Sequence, residues 1–462
     1  MRNMDYSFLP VLAEADIVVC GGGTAGAFAA IAAAEAGRDV LLIEQFGMLG
    51  GSATAGLVTP VMRPHIEGEP MCSYLTEKLN KRLLELGAVN DAGRGFDMTI
   101  LKIVLEEMCV EAGVRLLYYT FVPEVVVKDG KVEAVVVSNK DGLSQVKGKI
   151  FIDCTGDGDI SVRAGAEYNK GNPETGKNQP MSLRYVVEGI DTKAYGAFLK
   201  ELIARTGSDD GASVNEEGHA TYVHINPKRN CTMNFLFEEA IKNGDLLEED
   251  YLYWQGFTMP GRDGCIAFNA PEFFEHIDGT KTEDLTLAQL NGKKRILGHL
   301  KFYKKYFKGF EHAHIAEIAT QVGIRETREI VADYVLTAED LWGKKKFPDM
   351  ICQSNYPIDV HGRVLRNDYL VGQTDDGKPW YDIPYRALIV KGLENLLVAG
   401  RCLGAEFIAE ASVRVQHAAR STGEAAGIGA AMALDQGVSI REINGADIRK
   451  VMQEKGAVYA PF

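Results

Sequence analysis

The chain has 462 residues, of which 46% are hydrophobic and 25% charged, a composition typical of a soluble globular protein with two or three structural units. Its 50 Lys and Arg residues against 64 Asp and Glu residues give a formal net charge of −14, which would repel a nucleic-acid backbone on average. There is no run of ~18 uncharged apolar residues and no apolar leader near Met1. We therefore expect no nucleic-acid partner, no membrane span and a cytoplasmic location.

The eight cysteines are scattered, and no two of them lie closer than 34 positions. Local zinc or iron–sulfur motifs need pairs such as Cys-x-x-Cys, and none is present. We therefore expect reduced, mostly buried thiols and no metal site.

The first elements form one continuous pattern. An apolar run at 17–20 predicts a buried strand, the glycine-rich stretch at 21–26 a turn, and the alanine-rich run at 27–36 a helix closed by Gly37. A second strand at 40–43 ends at Glu44. These ~30 residues make a complete strand, turn, helix and strand unit.

The elements that follow divide the chain into three stretches. Periodicity predicts a helix at 101–112, strands at 114–119, 122–127, 132–137 and 149–153, and, near the end, a strand at 395–401 and a helix at 412–434. The middle is richer in aromatic residues, prolines and charge. We therefore predict a first domain built from 1–166 and 383–462, with a second domain inserted at 167–382.

The first glycine loop has the features of a dinucleotide site. Gly21 permits a tight turn, Gly23 lets the backbone approach a pyrophosphate, and Gly26 lets helix and strand pack closely. Glu44 stands where a carboxylate can bind ribose hydroxyls. A purely structural turn is the alternative.

The end of the chain favours a flavin over a nicotinamide. FAD is long, so its ribityl chain and isoalloxazine need contacts outside the first loop. Gly400 after a strand, and the small-residue helix beyond it, offer such a contact. A nicotinamide-linked dehydrogenase would usually keep its dinucleotide domain contiguous.

Five stretches carry a resemblance to a known family: GMLGGSAT at 47–54, CTGDGD at 154–159, GIRETR at 323–328, IPYRAL at 383–388, and 395–427. Together with 16–56 they resemble the FAD-dependent oxidoreductase family, which is distantly similar to fumarate reductase flavoproteins and thiazole-forming enzymes. The resemblance implies an α/β fold with a Rossmann-like, glutathione-reductase-like FAD-binding domain formed by both chain ends. The inserted domain would be an α+β substrate domain.

The resemblance also implies which residues hold the cofactor, and it places the backbone amides of 411–415 near the pyrimidine ring. The cofactor residues are Gly21, Gly23, Thr24, Ala25, Gly26, Glu44, Gln45, Gly51, Ser52, Val122, Thr155, Gly156, Asp157, Gly400, Arg401, Ser412 and Val413. Some relatives bond the flavin to a histidine soon after the first loop, but 47–54 contains none and His65 lies farther on. We therefore expect non-covalent FAD.

Five residues are candidates for the chemistry. Arg325 and Arg328 are three apart, so on a helix they would share a face and could clamp a carboxylate; ion pairs with the neighbouring glutamates are the alternative. His361 could transfer a proton or serve as a structural histidine. Tyr385 and Arg386 could line the flavin.

The function that fits these features is an FAD-dependent oxidoreductase acting on a small polar organic substrate by hydride transfer to or from flavin N5. Two alternatives stay open, a non-redox binding protein on the same scaffold and an NAD(P)-dependent dehydrogenase. The sequence leaves open the substrate, the direction of the reaction, the electron partner and the formation of a homo-oligomer.

Overall fold

The computed structural model describes residues 6–62, 66, 71–89, 95–275, 277–362 and 379–461. The helices in these ranges are α1 (Thr24–Glu35), α2 (Tyr74–Glu85), α3 (Met98–Glu111), α4 (Asp159–Arg163), α5 (Thr192–Thr206), α6 (Asn234–Lys242), α7 (Thr282–Tyr306), α8 (Ala338–Trp342), α9 (Phe407–Val413), α10 (Gln416–Gln436) and α11 (Gly445–Glu454). Within the same ranges no helix has the length and apolar character needed to cross a membrane.

The strands of the described ranges fall into two large sheets and several short ribbons. They are β1 (Val11–Cys20), β2 (Val40–Ile43), β3 (Arg115–Leu117), β4 (Phe121–Lys128), β5 (Lys131–Asn139), β6 (Gly142–Asp153), β7 (Tyr168–Lys170), β8 (Met181–Ser182), β9 (Tyr185–Glu188), β10 (Ala212–Val214), β11 (Ala220–Ile225), β12 (Trp254–Thr258), β13 (Ile266–Asn269), β14 (Glu272–Phe273), β15 (His314–Ile318), β16 (Arg328–Ile330), β17 (Met350–Ser354), β18 (Tyr381–Pro384) and β19 (Leu396–Val398).

The first sheet is parallel where it carries the glycine loop. Its parallel strands have the order β3-β2-β1-β6, and β19 pairs in parallel with the last residues of β6 on the side away from β1. The first half of β6 pairs instead with β5, which forms an antiparallel pair with β4. The four residues that end β1 and the four that end β6 are buried, as expected for parallel strands covered on both faces.

The two ends of the chain meet through α1 and α10. A Cβ on Gly423 would lie 2.1 Å from the carbonyl oxygen of Ala25, and one on Gly427 would lie 2.2 Å from that of Ala29. Only small residues allow two helices to pack this closely, which explains the Ala/Gly composition of both. The predicted α/β fold, with its parallel sheet closed by both chain ends, is confirmed.

The second sheet is antiparallel, with the order β10-β11-β12-β13-β9-β15. Its core is aromatic: the Trp254 ring lies 5.4 Å from that of Phe268, and Phe268 stacks on Tyr303 at 4.9 Å. The ribbon of β17 and β18 packs on α10 and α11 instead. The predicted domain boundaries at 166 and 382 stay predictions.

Two local predictions are wrong. The helix expected at 412–434 is two helices, because Val415 is extended (φ −69°, ψ 155°) and begins α10. Arg414 at the break donates from Nη2 to the carbonyl oxygen of Asp359 at 2.8 Å, a tertiary contact that local periodicity does not reveal. The segment 323–328 is a loop that leads into β16, not a helix.

Candidate functional site

Two adjoining cavities lie at the carboxyl ends of the parallel strands, where ligands bind in open α/β sheets. The smaller, the nucleotide cavity, has a volume of about 110 Å³. The larger, the central cavity, has a volume of about 330 Å³ and extends to residues of the second sheet. Both are lined by Gly23, Gly51, Thr155 and Gln321, so the glycine loop forms their common wall.

The first glycine loop is shaped to hold a phosphate. Gly21 has φ 95°, and a Cβ there would lie 2.6 Å from the carbonyl oxygen of Cys154, while a Cβ on Gly26 would lie 1.8 Å from that of Gly21. At Gly23, by contrast, a Cβ would meet nothing closer than 3.9 Å. Gly21 and Gly26 therefore let the loop close, and Gly23 leaves open space before the N-terminus of α1.

The N-terminus of α1 presents amides to that space. Gly23 is its N-cap and gives no side-chain cap, and Thr24 and Ala25 line the central cavity. Within the described ranges, the amides at the start of α1 have no backbone acceptor until Ala27, whose amide donates to the carbonyl oxygen of Gly23. Free amides and the helix dipole together bind anions such as a pyrophosphate.

Glu44 is fixed at the end of β2, where it lines the nucleotide cavity with Gln45 and Val122. Its Oε2 accepts from the Gly22 amide at 2.7 Å and its Oε1 from the Phe46 amide at 2.8 Å. Burial raises the pKa of this carboxyl, and the two hydrogen bonds oppose that rise. Each oxygen keeps acceptor capacity for a ribose hydroxyl.

The opposite wall joins the two chain ends. Arg401 pairs through Nη2 with Asp157 Oδ1 at 2.8 Å, and a Cβ on Gly156 would lie 2.9 Å from the same Nη2. The Gly400 amide donates to Thr422 Oγ1 at 3.2 Å. Gly156, Gly400 and Arg401 line the central cavity, and Asp157 lines the nucleotide cavity.

The helix N-terminus at the far end of the central cavity is that of α10, because Val415, Gln416 and Ala419 line it. Ser412 and Val413 do not line either cavity. Ser412 is buried in α9, and its Oγ donates to the carbonyl oxygen of Tyr356 at 2.5 Å. Because the helix breaks at 414–415, the residues of its N-terminus that line the cavity begin at Val415, a few positions after the predicted Ser412 and Val413.

Arginines from three separate segments reach the central cavity on the side away from the glycine loop. Arg325 Nη2 lies 2.5 Å from Glu272 Oε1, and Arg414 Nη2 lies 3.4 Å from Asp359 Oδ2. Arg184, between β8 and β9, has no side-chain hydrogen bond or ion pair in the part of the chain that the structure describes, and its Nε is buried without a partner. Burial, with the charge of Arg325 among the further causes, lowers the pKa of Arg184 to about 10.

His361 stands between two carboxylates at this wall. Its Nδ1 lies 3.0 Å from Glu272 Oε1 and its Nε2 lies 3.3 Å from Asp359 Oδ2, while its ring meets the edge of Tyr253 with centroids 4.8 Å apart. Burial alone would raise the pKa of Glu272, but the charges of Arg325 and His361 hold it below its usual value. Because both ring nitrogens face carboxylates, proton exchange with a group in the cavity requires that group to displace the longer contact, that of Nε2 with Asp359.

Three predicted catalytic residues lie outside both cavities. Arg328 is in β16 and contacts Asp159 Oδ1 at 2.8 Å, Tyr385 is fully buried, and Arg386 pairs with Asp349. The expected clamp on one helix face is wrong, because Arg325 lies in a loop and points to Glu272 while Arg328 points to Asp159. The expected pairing of both with neighbouring glutamates is absent from the described residues as well.

Three residues of this wall were not predicted from the sequence: Arg184, Tyr253 and Glu272. Arg184 and Tyr253 lie next to strands of the second sheet and Glu272 lies in the ribbon of β8 and β14, and 69 positions separate Arg184 from Tyr253. One signal was available: Glu272 stands alone between Pro271 and Phe273, and an acid inside an apolar run indicates a buried partner.

The fold and these cavities define a dinucleotide-binding enzyme whose cavities are lined by residues from both ends of the chain. Residues 16–452 match the family model described as FAD dependent oxidoreductase. The chain belongs to this family, it is an oxidoreductase, and FAD is its cofactor. The open space at Gly23, the free amides of α1 and the buried acceptor Glu44 fit the phosphates and ribose of that cofactor. Non-covalent attachment stays a prediction, since His65 lies outside the described residues.

Two curated relatives match parts of the chain. A digeranylgeranylglycerophospholipid reductase from Methanopyrus kandleri is 28% identical over 154 residues, which are 31% of this chain and 40% of that protein. A thiamine thiazole synthase from Aeropyrum pernix is 30% identical over 188 residues, which are 38% of this chain and 66% of that protein. The chain thus covers less than two thirds of either relative.

A solved structure extends the likeness to the whole fold. The p-nitrophenol 4-monooxygenase from Pseudomonas putida superposes with a TM-score of 0.50 at 11% identity, covering 96% of this chain and 87% of that one. At this identity the likeness shows the fold alone.

Proposed function

We propose that the protein oxidises or reduces a small polar organic substrate that carries an anionic group, by hydride transfer to or from flavin N5. The observation that carries the proposal is the guanidinium of Arg184 in the central cavity, whose buried Nε has no hydrogen-bond partner among the described residues. A partly buried cation without a partner is costly and is stabilised by an anion that binds beside it. Bound FAD supplies the two-electron chemistry.

The volume of the central cavity supports a small substrate. Ligand pockets typically measure ~300–1,000 Å³, and this one, at about 330 Å³, is at the lower limit. Gly51, Gly156 and Gly400, which the resemblance assigns to FAD, line the same cavity, so the cofactor takes part of the volume. The polar lining by Gln255 and Asn269 also disfavours a long hydrocarbon chain.

We assign separate tasks to the residues of the far wall. Arg184 binds the anionic group of the substrate, and His361, held by Glu272 and Asp359, holds or moves the proton that accompanies hydride transfer. Arg325 forms an ion pair with Glu272 that stabilises the ionised form of this carboxylate, so His361 stays between two ionised carboxylates. These roles are our inference from the geometry.

Anaerobic screening of small metabolites for bleaching of the bound flavin tests the proposal. Carboxylates and other anions should bleach it, whereas their amides should do so weakly. Arg184→Gln should weaken the apparent affinity by ~10- to 150-fold, the equivalent of one hydrogen bond to a charged group, with the FAD content unchanged. Arg205→Gln, an exposed arginine on α5, is the matched control and should behave as the parent.

His361→Asn should slow bleaching by ~10²- to 10⁴-fold at saturating substrate and leave the FAD content at the parent level. Unchanged affinity in Arg184→Gln together with an unchanged rate in His361→Asn would overturn the assigned roles. A yellow protein that no compound bleaches or reoxidises would favour the non-redox binding alternative.

A further inference from the structure

A cluster of two thiols and an imidazole lies apart from both cavities. Cys72 and Cys352 are 0% exposed and His417 is 1% exposed, and one ligand atom from each lies within 4.8 Å of the others. The three residues come from separate segments: Cys72 precedes the N-cap of α2, Cys352 lies in β17, and His417 is in the first turn of α10. Local cysteine spacing therefore carries no information about this cluster.

A fourth potential ligand is the carbonyl oxygen of Gln353. It lies 3.1 Å from His417 Nε2 and 3.7 Å from Cys352 Sγ, and these two side-chain atoms are 3.8 Å apart. A tetrahedral zinc ion with bonds of ~2.3 Å to sulfur and ~2.0–2.2 Å to nitrogen and oxygen separates its ligand atoms by roughly 3.3–3.8 Å. The separations among the His417, Cys352 and Gln353 atoms match these edges to within a few tenths of an ångström, and Cys72 Sγ lies within 4.8 Å of the other two side-chain ligand atoms.

One backbone amide donates to the cluster, and neighbouring contacts hold the ligands in place. The Gln353 amide donates to Cys72 Sγ at 3.4 Å, and such N–H groups stabilise sulfur ligands. The Gln353 side chain is fixed in turn by the backbone of Ala460, from whose amide it accepts at 2.7 Å. Nδ1 of His417 has no hydrogen-bond partner in the described part of the chain, so the cluster supplies the ring's polar contacts.

Charge balance favours a divalent cation. Two thiolates neutralise one dication, which avoids an uncompensated charge in a fully buried position, and binding releases the two thiol protons to solvent. Soft thiolate ligands with one imidazole select zinc over magnesium or calcium.

We propose that Cys72, Cys352, His417 and the Gln353 carbonyl oxygen bind one zinc ion that ties α2, β17 and α10 together. The site has a structural role, because all three side chains are buried and lie outside the cavities. Its position in the first turn of α10 means that it also fixes the helix N-terminus that faces the central cavity.

The test is the metal content of the full-length protein with its FAD, purified under reducing conditions without chelator, measured by inductively coupled plasma mass spectrometry. We expect about one zinc per chain, retained on dialysis or taken up from added Zn²⁺. Cys352→Ser, Cys72→Ser and His417→Asn should each lose it. Cys265→Ser, a buried thiol elsewhere whose Sγ contacts Met259, is the matched control and should keep it.

Replacement of zinc by Co²⁺ in the parent protein gives a readout that does not depend on the variants folding. Tetrahedral thiolate ligation should produce d–d absorption in the red, where flavin does not absorb. A parent protein that neither holds nor takes up Zn²⁺, or that keeps it in all three variants, overturns the proposal. Thiol counting after denaturation distinguishes a disulfide, which would leave two fewer than the eight free thiols expected and would also overturn it.

Discussion

Replacing Gly23 by alanine should weaken FAD binding without harming the fold. Gly23 has φ −69° and ψ −165°, a conformation that alanine adopts without strain. The added Cβ would meet no protein atom closer than 3.9 Å. The methyl group instead projects into the open space before the first turn of α1, where we expect the phosphates of FAD to bind.

The size of the effect follows from the contacts that the methyl group blocks. Keeping a phosphate oxygen from one amide of α1 removes a hydrogen bond to a charged acceptor, worth ~1.5–3 kcal/mol. The dissociation constant for FAD should therefore rise by ~10- to 150-fold. Quenching of flavin fluorescence on titrating the apoprotein measures this constant, and far-ultraviolet circular dichroism shows whether the fold is kept.

Two further glycines make the comparison specific. Gly298→Ala lies in α7 with no atom within 4 Å of its added Cβ, so it should keep the parent affinity and gain ~0.5–1 kcal/mol of stability. Gly26→Ala would place its Cβ 1.8 Å from the carbonyl oxygen of Gly21 and should lose stability as well as FAD. A folded Gly23→Ala protein that binds FAD as tightly as the parent would refute the reasoning.

Three other predictions concern stability, each measured by urea unfolding. Burial and neighbouring carboxylates raise the pKa of Glu329 to about 10. The native state therefore keeps a proton that the unfolded chain releases above pH ~4.3. Between these two pH values the free energy of unfolding should fall by up to ~1.4 kcal/mol per pH unit as the pH rises. Glu329→Gln should flatten this slope, whereas the exposed Glu107→Gln should not. Asp250→Asn should cost ~3–5 kcal/mol, because it leaves a buried arginine and histidine without their shared carboxylate; a cost under ~1 kcal/mol would contradict this. Ile152→Ala, at a fully buried position of β6, should cost ~2–5 kcal/mol, and the half-exposed Ile103→Ala less than ~1 kcal/mol.

The first supersecondary unit could be predicted from the sequence because its signals are local. The apolar runs predicted β1 to end at Cys20 and β2 to cover 40–43, and the structure agrees at both. The contact that requires glycine at position 26 is also local, since a Cβ there would meet the carbonyl oxygen of Gly21 five positions earlier.

Positions set by distant contacts could not be predicted. The helix after β19 breaks between Arg414 and Val415, where the Arg414 side chain bonds the backbone of Asp359, 55 positions away; tertiary contacts of this kind can override helix propensity. The spacing of Arg325 and Arg328 indicates a shared face only if the segment is helical. In the observed loop the same spacing sends the two side chains to different carboxylates.

The charged residues at the far wall of the central cavity are brought together only by the fold, so their balance of charge could not be predicted from the sequence. Arg325, Arg401 and Arg414 each face a carboxylate, so their charges are balanced within the protein, whereas among the described residues Arg184 forms no ion pair and the charge of Glu272 acts on it only at longer range. An anionic substrate completes the balance without breaking an existing pair, whereas a neutral one leaves the guanidinium as costly as before. Because the Arg184 side chain is partly buried, salt screens its charge less than that of a surface pair. We therefore expect a carboxylate to keep its advantage over the matching amide at high ionic strength.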